Sequence, residues 1–301
     1  VAVSGGSDST ALLLCAHAWA AARSVELRVV TVDHGLRVEA ATEAEGVARL
    51  SAKLGWSHQV VTLPPDADPR SAGRARIARH RAFARWASDH GIELLLLGHT
   101  SDDAAETVVM RAARLSAGAT DLIALAQPQP LSLSPLWPER RGLLLARPLL
   151  ARSRAELRAC LTAQAIGWAD DPTNADPRRE RTQARAWLAA DPTRRQVALH
   201  LWRAGLRARR GLLRGLRTVS PTFQPDGSVE VRVTALPFLG ARGLALLLAV
   251  ASGSPQVPGL AEAQAVLTAL ARGEHSLTRA GVLLRRHGGH IRLTRDAGAL
   301  A

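Results

Sequence analysis

The chain has 301 residues, a formal net charge of +13 and an apolar share of 47%. That length is enough for one large domain plus a smaller one, and there is no internal repeat or low-complexity tract. The two cysteines, Cys15 and Cys160, fall in helical patterns far apart in sequence and read as reduced core thiols, as expected of a cytoplasmic protein. Without a C-x-x-C the sequence suggests neither a zinc clip nor an iron–sulfur site. No apolar run reads as a membrane span and no signal-peptide pattern opens the chain, so no membrane partner is expected. Val1 already stands inside the first apolar strand, as in a piece of a longer protein.

The positive charge is almost all arginine, Lys53 being the only lysine among 39 basic residues. Abundant Ala, Leu and Arg reflect a coding bias, so distribution says more than number. Residues 178–217 hold twelve arginines against Glu180 and Asp191, a strip whose sign suits a nucleic-acid backbone.

Taken in chain order, residues 1–3 read as the end of a buried strand and 10–22 as a helix, with Leu12, Leu13, Leu14, Ala16 and Trp19 supplying its apolar side. A strand at 27–32 ends in Asp33-His34-Gly35, a helix follows over 39–54, and a strand over 57–63. Pro64, Pro65 and Pro69 mark a loop before a long basic helix over 71–90. Residues 92–97 form an apolar strand ending in Gly98-His99, and Ser101 caps the next helix. Residues 127–138, with four prolines, read as a surface loop. Ser153-Arg154-Ala155-Glu156 is a capping box opening a helix to about 166, and Asp171-Pro172-Thr173-Asn174 is a turn. Arginine-rich helices bridge to a module with a strand at 229–233, helices at 242–251 and 260–272, and strands at 281–286 and 291–294. The predicted fold is α/β: an open parallel, Rossmann-like sheet with helices on both faces, then a helical bridge and a small α+β module. The domain boundary is set at 1–190 and 191–301.

Between the first strand and helix stands Ser4-Gly5-Gly6-Ser7-Asp8-Ser9. Two glycines let backbone N–H groups approach an anion, the helix N-terminus adds partial positive charge, and three hydroxyls line the cradle. A carboxylate beside phosphates makes sense when Mg2+ lies between them, which is the expected place of Asp8. The string lacks the lysine of G-x-x-x-x-G-K-[ST] and resembles instead the PP-loop of the N-type ATP pyrophosphatases, which cleave ATP between its α and β phosphates. An ordinary turn with Ser4 or Ser7 as N-cap is the plainer alternative. Ligands of open parallel sheets bind beyond the carboxyl ends of strands, and three such ends carry reactive residues: 4–9, Asp33-His34 and His99–Glu106.

On the helix after His99, Asp103 and Glu106 are three residues apart and share a face, while Asp102 points partly away. Beside a nucleotide they have two uses, holding Mg2+ or holding the ammonium of an incoming amine. His99 either pairs with phosphate or is a satisfied strand-end histidine. Arg74, Arg76, Arg79 and Arg81 make both sides of the long helix basic, with Arg76 the candidate for phosphate or nucleic acid.

The succession SGGSDS, VDHGLR, GHTSDDAAETVVMR, RPLLARSRAEL and DDPTNADPRRER resembles the tRNA(Ile)-lysidine synthetase family over most of residues 1–190. The resemblance implies a cytoplasmic ligase that uses ATP to adenylate the wobble cytidine of tRNA(Ile) with a CAU anticodon. L-lysine then displaces AMP to give lysidine. It implies Ser4, Gly5, Gly6, Ser7, Asp8, Ser9 and His34 as ATP-binding residues, and Asp8, Asp103 and Glu106 as catalytic acids. Asp8 and Asp103 are the implied Mg2+ ligands, and Arg76 and Arg181 are placed near phosphate or tRNA. A homodimer is left open. The chain departs from the family pattern at Ala105 (Gln), near Ala72 (Glu), at His80 (aromatic), at Arg114–Gly118 (R-G-[SA]-G) and at Thr182 (Asn). A thiolase-like tRNA-modifying enzyme and a non-catalytic RNA-binding relative are the competing readings. The missing C-x-x-C speaks against the first, and release of AMP and pyrophosphate in the presence of tRNA would exclude the second.

Overall fold

The computed structural model describes residues 1–33, 39–63, 72–114, 122–134, 143–170, 176–253 and 257–296. His34, Arg37, the 64–71 proline loop, residues 115–118 and the 171–174 turn lie outside the described residues. The chain divides into two compact units, Val1–Gly205 and Leu206–Ala301.

In the first unit, β1 (Arg28–Asp33) pairs in parallel with β2 (Ser57–Thr62), Arg28 opposite Ser57 and Asp33 opposite Thr62. Residues 1–3 lie on the other side of β1, where the Val3 amide donates to the Val30 carbonyl at 2.9 Å and Ala2 bridges to Val30 in parallel. The Ala2 amide also donates to the Leu96 carbonyl at 3.0 Å, which joins this segment to β3 (Leu94–Leu96). β3 in turn runs parallel to β5 (Leu144–Ala146). The spatial order is therefore β2, β1, residues 1–3, β3, β5, so that the first segment in sequence sits at the centre. The winding direction reverses between it and β3, and such a reversal opens a crevice at the strands' carboxyl ends.

Side chains alternate across this sheet and sort the core into two layers. Val1, Val3 and Val29 pack with Leu12, Leu13 and Ala16 of α1 (Ser7–Ala21), Val47 of α2 (Glu39–Lys53) and Leu157 and Leu161. Ala2, Val30, Leu95 and Leu145 face the other way, against Phe83, Trp86 and Ala87 of α3 (Ala72–Asp89). Residues 1–3 and Val29–Val30 at the centre of the sheet are buried on both faces, which is why they read as apolar runs, whereas β2 at its edge is largely exposed.

Four expectations are corrected. Within the proline-rich 127–138 stretch, Leu131–Leu133 forms β4, antiparallel to β5, where its amides find the ladder that a free loop would lack. Cys15 and Cys160 are both exposed and are not core thiols. The helix expected over 242–251 begins earlier, as α9 (Leu236–Ser252), with a break at Gly240 (φ 62°, ψ 168°). Residues 233–252 are apolar and long enough to cross a membrane by length and composition, contrary to the first reading. Leu239, Leu244, Leu247 and Leu248 of this stretch are instead buried in the core of the second unit.

Before the site, α4 (Ser101–Ala112) follows β3, and the short α5 (Leu122–Leu125) precedes β4. α6 (Arg154–Ala163) starts on the expected capping box, with the Glu156 amide donating to Ser153 Oγ at 3.2 Å and the Ser153 amide to Glu156 Oε2 at 2.7 Å. α7 (Glu180–Ala189) follows, and α8 (Pro192–Val219) contains the boundary between the units.

The second unit is a five-stranded sheet ordered β6, β7, β10, β9, β8, built from Thr222–Phe223, Val229–Arg232, His290–Arg295, Val282–His287 and Ser276–Arg279 respectively. Its strands are antiparallel to their neighbours, and α9 and α10 (Leu260–Ala271) complete the α+β module.

Candidate active site

The loop entering α1 has Gly5 at φ +86°, a left-handed conformation that disfavours any residue with a Cβ. Gly6 is the N-cap and supplies no side-chain cap, so neither Ser4 nor Ser7 fills that role. Ser9 Oγ instead folds back, accepting from the Ser4 amide at 3.1 Å and donating to the Gly6 carbonyl at 3.1 Å. Thr10 is the first residue of α1 whose amide bonds within the turn, to the Gly6 carbonyl at 3.0 Å. The amides of Ser7, Asp8 and Ser9 therefore face forward at the helix N-terminus, the arrangement that receives phosphate oxygens.

Gly98, at the end of β3, presses against this turn. A Cβ placed there would lie 3.0 Å from both the amide nitrogen and Cα of Ser9. Backbone on both sides leaves little to yield. Gly98→Ala is expected to push the loop out of register and weaken ATP binding about tenfold or more while the chain stays folded, as equilibrium binding of ATP and circular dichroism would show.

The acids of α4 converge on the same place. Asp103 makes the N-terminal capping box of its helix, its Oδ2 accepting from the Thr100 amide at 2.7 Å and from Thr100 Oγ1 at 3.0 Å. Glu106 is 2% exposed, a burial that a carboxylate tolerates only with partners. It has three guanidiniums. Arg185 Nε donates to Oε1 at 2.9 Å, Arg154 lies 3.6 Å from the same oxygen, and Arg181 Nε lies 2.9 Å from Oε2. The last contact is an ion pair without hydrogen-bond alignment, since Oε2 accepts no hydrogen bond among the described residues.

Arg154 is the residue that ties these parts together, and the sequence reading assigned it no role beyond its capping box. From the first turn of α6 its Nε donates to Asp8 Oδ2 at 3.0 Å, and its other nitrogens lie 3.7 Å from Asp103 Oδ1 and 3.6 Å from Glu106 Oε1. Its own amide donates to Asp102 Oδ2 at 2.7 Å, and Arg195 holds the other oxygen of Asp102 at 3.3 Å. Asp102 is thus structural while Asp8, Asp103 and Glu106 share one guanidinium. The signal was present in RPLLARSRAEL, but nothing in a capping box says that its first helical residue turns back toward two other helices.

Electrostatics separate the acids. Burial raises the Asp8 carboxyl above its ordinary range, with Arg154 pulling the other way. Burial would also raise Asp103, but Arg181 first, then His99, the Thr100 amide and Arg154, hold it below the usual range. His99 is lowered to about 4, chiefly by burial, and among the described residues its Nδ1 has no hydrogen-bond partner. It is therefore neutral at physiological pH.

Arg181, expected near phosphate or tRNA, makes its ion pairs with Asp103 (3.2 Å) and Glu106 (2.9 Å). Arg76 is exposed on α3, near enough to Arg79, Arg147 and Arg181 for their charges to repel. Arg147 is almost wholly buried and donates to the Gln129 carbonyl at 2.8 Å and to Ser132 Oγ at 3.1 Å; burial, then Arg76, lowers it to about 10. An anion between these arginines would relieve both burial and repulsion. His80, one of the departures, is buried in the same neighbourhood and pushed down to about 3, first by burial.

Comparison with known proteins agrees with this geometry. The PP-loop domain family, ATP_bind_3, matches residues 1–191. The tRNA(Ile)-lysidine synthase of Hyphomonas neptunium is 50% identical over 201 residues, which is 67% of this chain and 53% of that protein. The enzyme of the same name from Bradyrhizobium sp. is 46% identical over 193 residues, 62% of this chain and 51% of its own. With these two the chain aligns over about half of their length. The tRNA(Ile)-lysidine synthase of Rhodopseudomonas palustris is 38% identical over 300 residues, covering 95% of this chain and 83% of that protein. Among solved structures, the U34-tRNA thiolase NcsA from Methanococcus maripaludis superposes with a TM-score of 0.55 over 69% of this chain and 70% of its own, at 15% identity, a likeness of fold alone. A PP-loop at the switch point of a parallel sheet, acids gathered on one arginine, and a 38% identical relative matched over 95% of this chain and 83% of its own length place the chain in the tRNA(Ile)-lysidine synthase family of PP-loop proteins.

Proposed function

We propose that the chain ligates L-lysine to the wobble cytidine of tRNA(Ile) with a CAU anticodon, using ATP and releasing AMP and pyrophosphate. The observation that carries this reading is the convergence of Asp8, Asp103 and Glu106 on Arg154 directly beside the phosphate-receiving turn. One nucleotide site and one buried acid pair in the same crevice suit a reaction with an adenylated intermediate and an amine nucleophile.

In the first step the cytosine O2 attacks the α-phosphorus and pyrophosphate leaves with the electron pair of the broken P–O bond. The forward-facing amides of Ser7, Asp8 and Ser9, with the hydroxyls of Ser4 and Ser7, hold the phosphates in line; His34, outside the described residues, is assigned to the nucleotide. In the second step the lysine amine attacks C2 and AMP departs with O2, a far better leaving group than hydroxide. Asp103 and Glu106 orient the lysine by its ammonium groups, exchanging guanidinium partners for substrate. The attacking amine must lose its proton before it attacks C2, a transfer that a carboxylate beside it or water can accept.

A magnesium ion fits these residues. Among the described residues Asp8 Oδ1 has one hydrogen-bond partner, the Ser7 hydroxyl at 3.2 Å, so a lone pair remains for a cation shared with phosphate oxygens. Asp103 could contribute only through Oδ1, since Oδ2 is taken by Thr100. When bound, the ion supplies charge neutralisation at the phosphates. Among the described residues there is no group of three or more His, Cys, Asp or Glu placed to hold a metal ion.

For the tRNA, we assign Arg76 and the arginines of α8 to backbone contact, and residues 191–301 to the bridge and the RNA-contacting module. Part of the strip is committed elsewhere: Arg181, Arg185 and Arg195 turn onto the acids of α4. The test is transfer of radiolabelled L-lysine to unmodified tRNA(Ile) carrying CAU, with ATP and Mg2+. Counts should enter the tRNA and vanish when the wobble cytidine is changed. AMP release without incorporation would point to another acceptor, and no AMP would favour a non-catalytic relative.

A further inference from the structure

Cys15 and Cys160 are 145 positions apart, yet their helices pack against one another. Leu12 and Ala16 of α1 share a buried seam with Leu157 and Leu161 of α6. Each cysteine stands in that seam's register. Cys15 is three residues past Leu12 and one before Ala16, and Cys160 is three past Leu157 and one before Leu161. Residues at i, i+3 and i+4 lie on one face of a helix, so both thiols flank the contact between α1 and α6. Both are free, and both are exposed at the rim where the seam meets solvent.

We propose that Cys15 and Cys160 form an oxidisable thiol pair whose disulfide pins the PP-loop helix to the helix that carries Arg154. The chemistry needs a hydroperoxide as oxidant. The Cys160 thiolate attacks the distal peroxide oxygen, the O–O bond breaks, and the alcohol (water, for hydrogen peroxide) leaves with the electron pair, giving a sulfenic acid at Cys160. Cys15 sulfur then attacks that sulfur, the S–O bond breaks, and water leaves. Two thiols are oxidised to one disulfide and one peroxide is reduced. Cys160 is assigned the first attack because its sulfur is held in place at the exposed rim, accepting from Gln164 Nε2 at 3.3 Å. Burial raises the Cys15 thiol, with Cys160 adding to the effect and Arg152 opposing it, which suits Cys15 to the resolving role.

The consequence follows from what the helices carry. α1 brings Ser7 and Asp8 to the site, and α6 brings Arg154 and Arg158, the latter donating to Ser7 Oγ at 3.3 Å. A covalent tie between them restricts any relative shift that nucleotide entry or pyrophosphate exit requires.

The experiment treats the full chain with a small excess of hydrogen peroxide under native conditions, then alkylates, digests and maps peptides by mass. The expected result is loss of both titratable thiols, a cross-linked peptide joining Cys15 to Cys160, a chain that stays monomeric on non-reducing gels, and recovery by dithiothreitol. Cys15→Ala should instead stop at a trappable sulfenic acid on Cys160, and Cys160→Ala should lose the rapid phase. Oxidation to separate sulfenic or sulfinic acids without the cross-link, or disulfides only between chains, would overturn the proposal. None of these readouts depends on the reaction catalysed, so the pairing can fail while the ligase reading stands, and the reverse.

Discussion

Glu106→Gln is expected to reduce lysine transfer to tRNA a hundredfold or more while tRNA binding changes less than about threefold. The side chain keeps its volume and loses its charge in a place where three guanidiniums, Arg154, Arg181 and Arg185, close on it and water is excluded. Removing one preorganised electrostatic contact at a reaction centre typically costs about 10²–10³ in rate, or about 3–4 kcal/mol. Asp103→Asn should behave alike, with an added cost in stability because its Oδ2 caps α4. The two roles proposed for the acids separate by rescue. If Glu106 holds lysine, raising the lysine concentration recovers part of the rate and raising Mg2+ does not; if it serves the cation, the dependence reverses. Single-turnover assays that follow AMP and lysidine separately locate the lost step. Full transfer by either variant would remove these acids from the chemistry.

Much of the fold was legible because its strands and helices carry strong patterns. The apolar run around Leu95 reads as a strand of the sheet, and SGGSDS marks the turn after the first strand. What escaped was non-local. β4 pairs antiparallel with β5 inside a proline-rich stretch, and a three-residue strand has too few positions to show a period. The α1 face carrying Leu12, Cys15 and Ala16 is apolar, so the thiol looked like core; its exposure depends on where α6 ends its coverage. The acids were found because three carboxylates in one helical turn stand out locally. Their partners were not, since Arg154, Arg181 and Arg185 belong to a chain so rich in arginine that no single one is conspicuous, and a guanidinium reaches its carboxylate across separations of 48 or more residues only in the fold.

Replacing Arg154 should have the widest consequences of any single change. Its guanidinium is the common partner of Asp8, Asp103 and Glu106, and its side chain is only 23% exposed. Arg154→Ala would leave Asp8 without its ion-pair partner, and burial already raises that carboxyl. The shift would therefore grow, and Asp8 would stay protonated to a higher pH. A carboxyl raised in the folded state binds protons there that the unfolded chain releases, so its contribution opposes folding as pH rises from the ordinary carboxylate range through the raised value. The variant should thus lose stability toward neutral pH and show an acid limb of the rate profile displaced upward. Stranding buried charges by deleting their partner costs about 3–5 kcal/mol when burial is complete; the partial exposure of Arg154 puts its loss at or below the lower end of that range. Arg154→Lys restores the charge but not the planar fork that reaches three carboxylates at once. It should recover much of the stability, measured by thermal melts at pH 5 and pH 8, while AMP release stays depressed at least tenfold. Equal recovery of stability and rate in the lysine variant would make Arg154 a simple counter-ion. A split between them would assign it to positioning the acids against the phosphates, which is what its contacts on two helices imply.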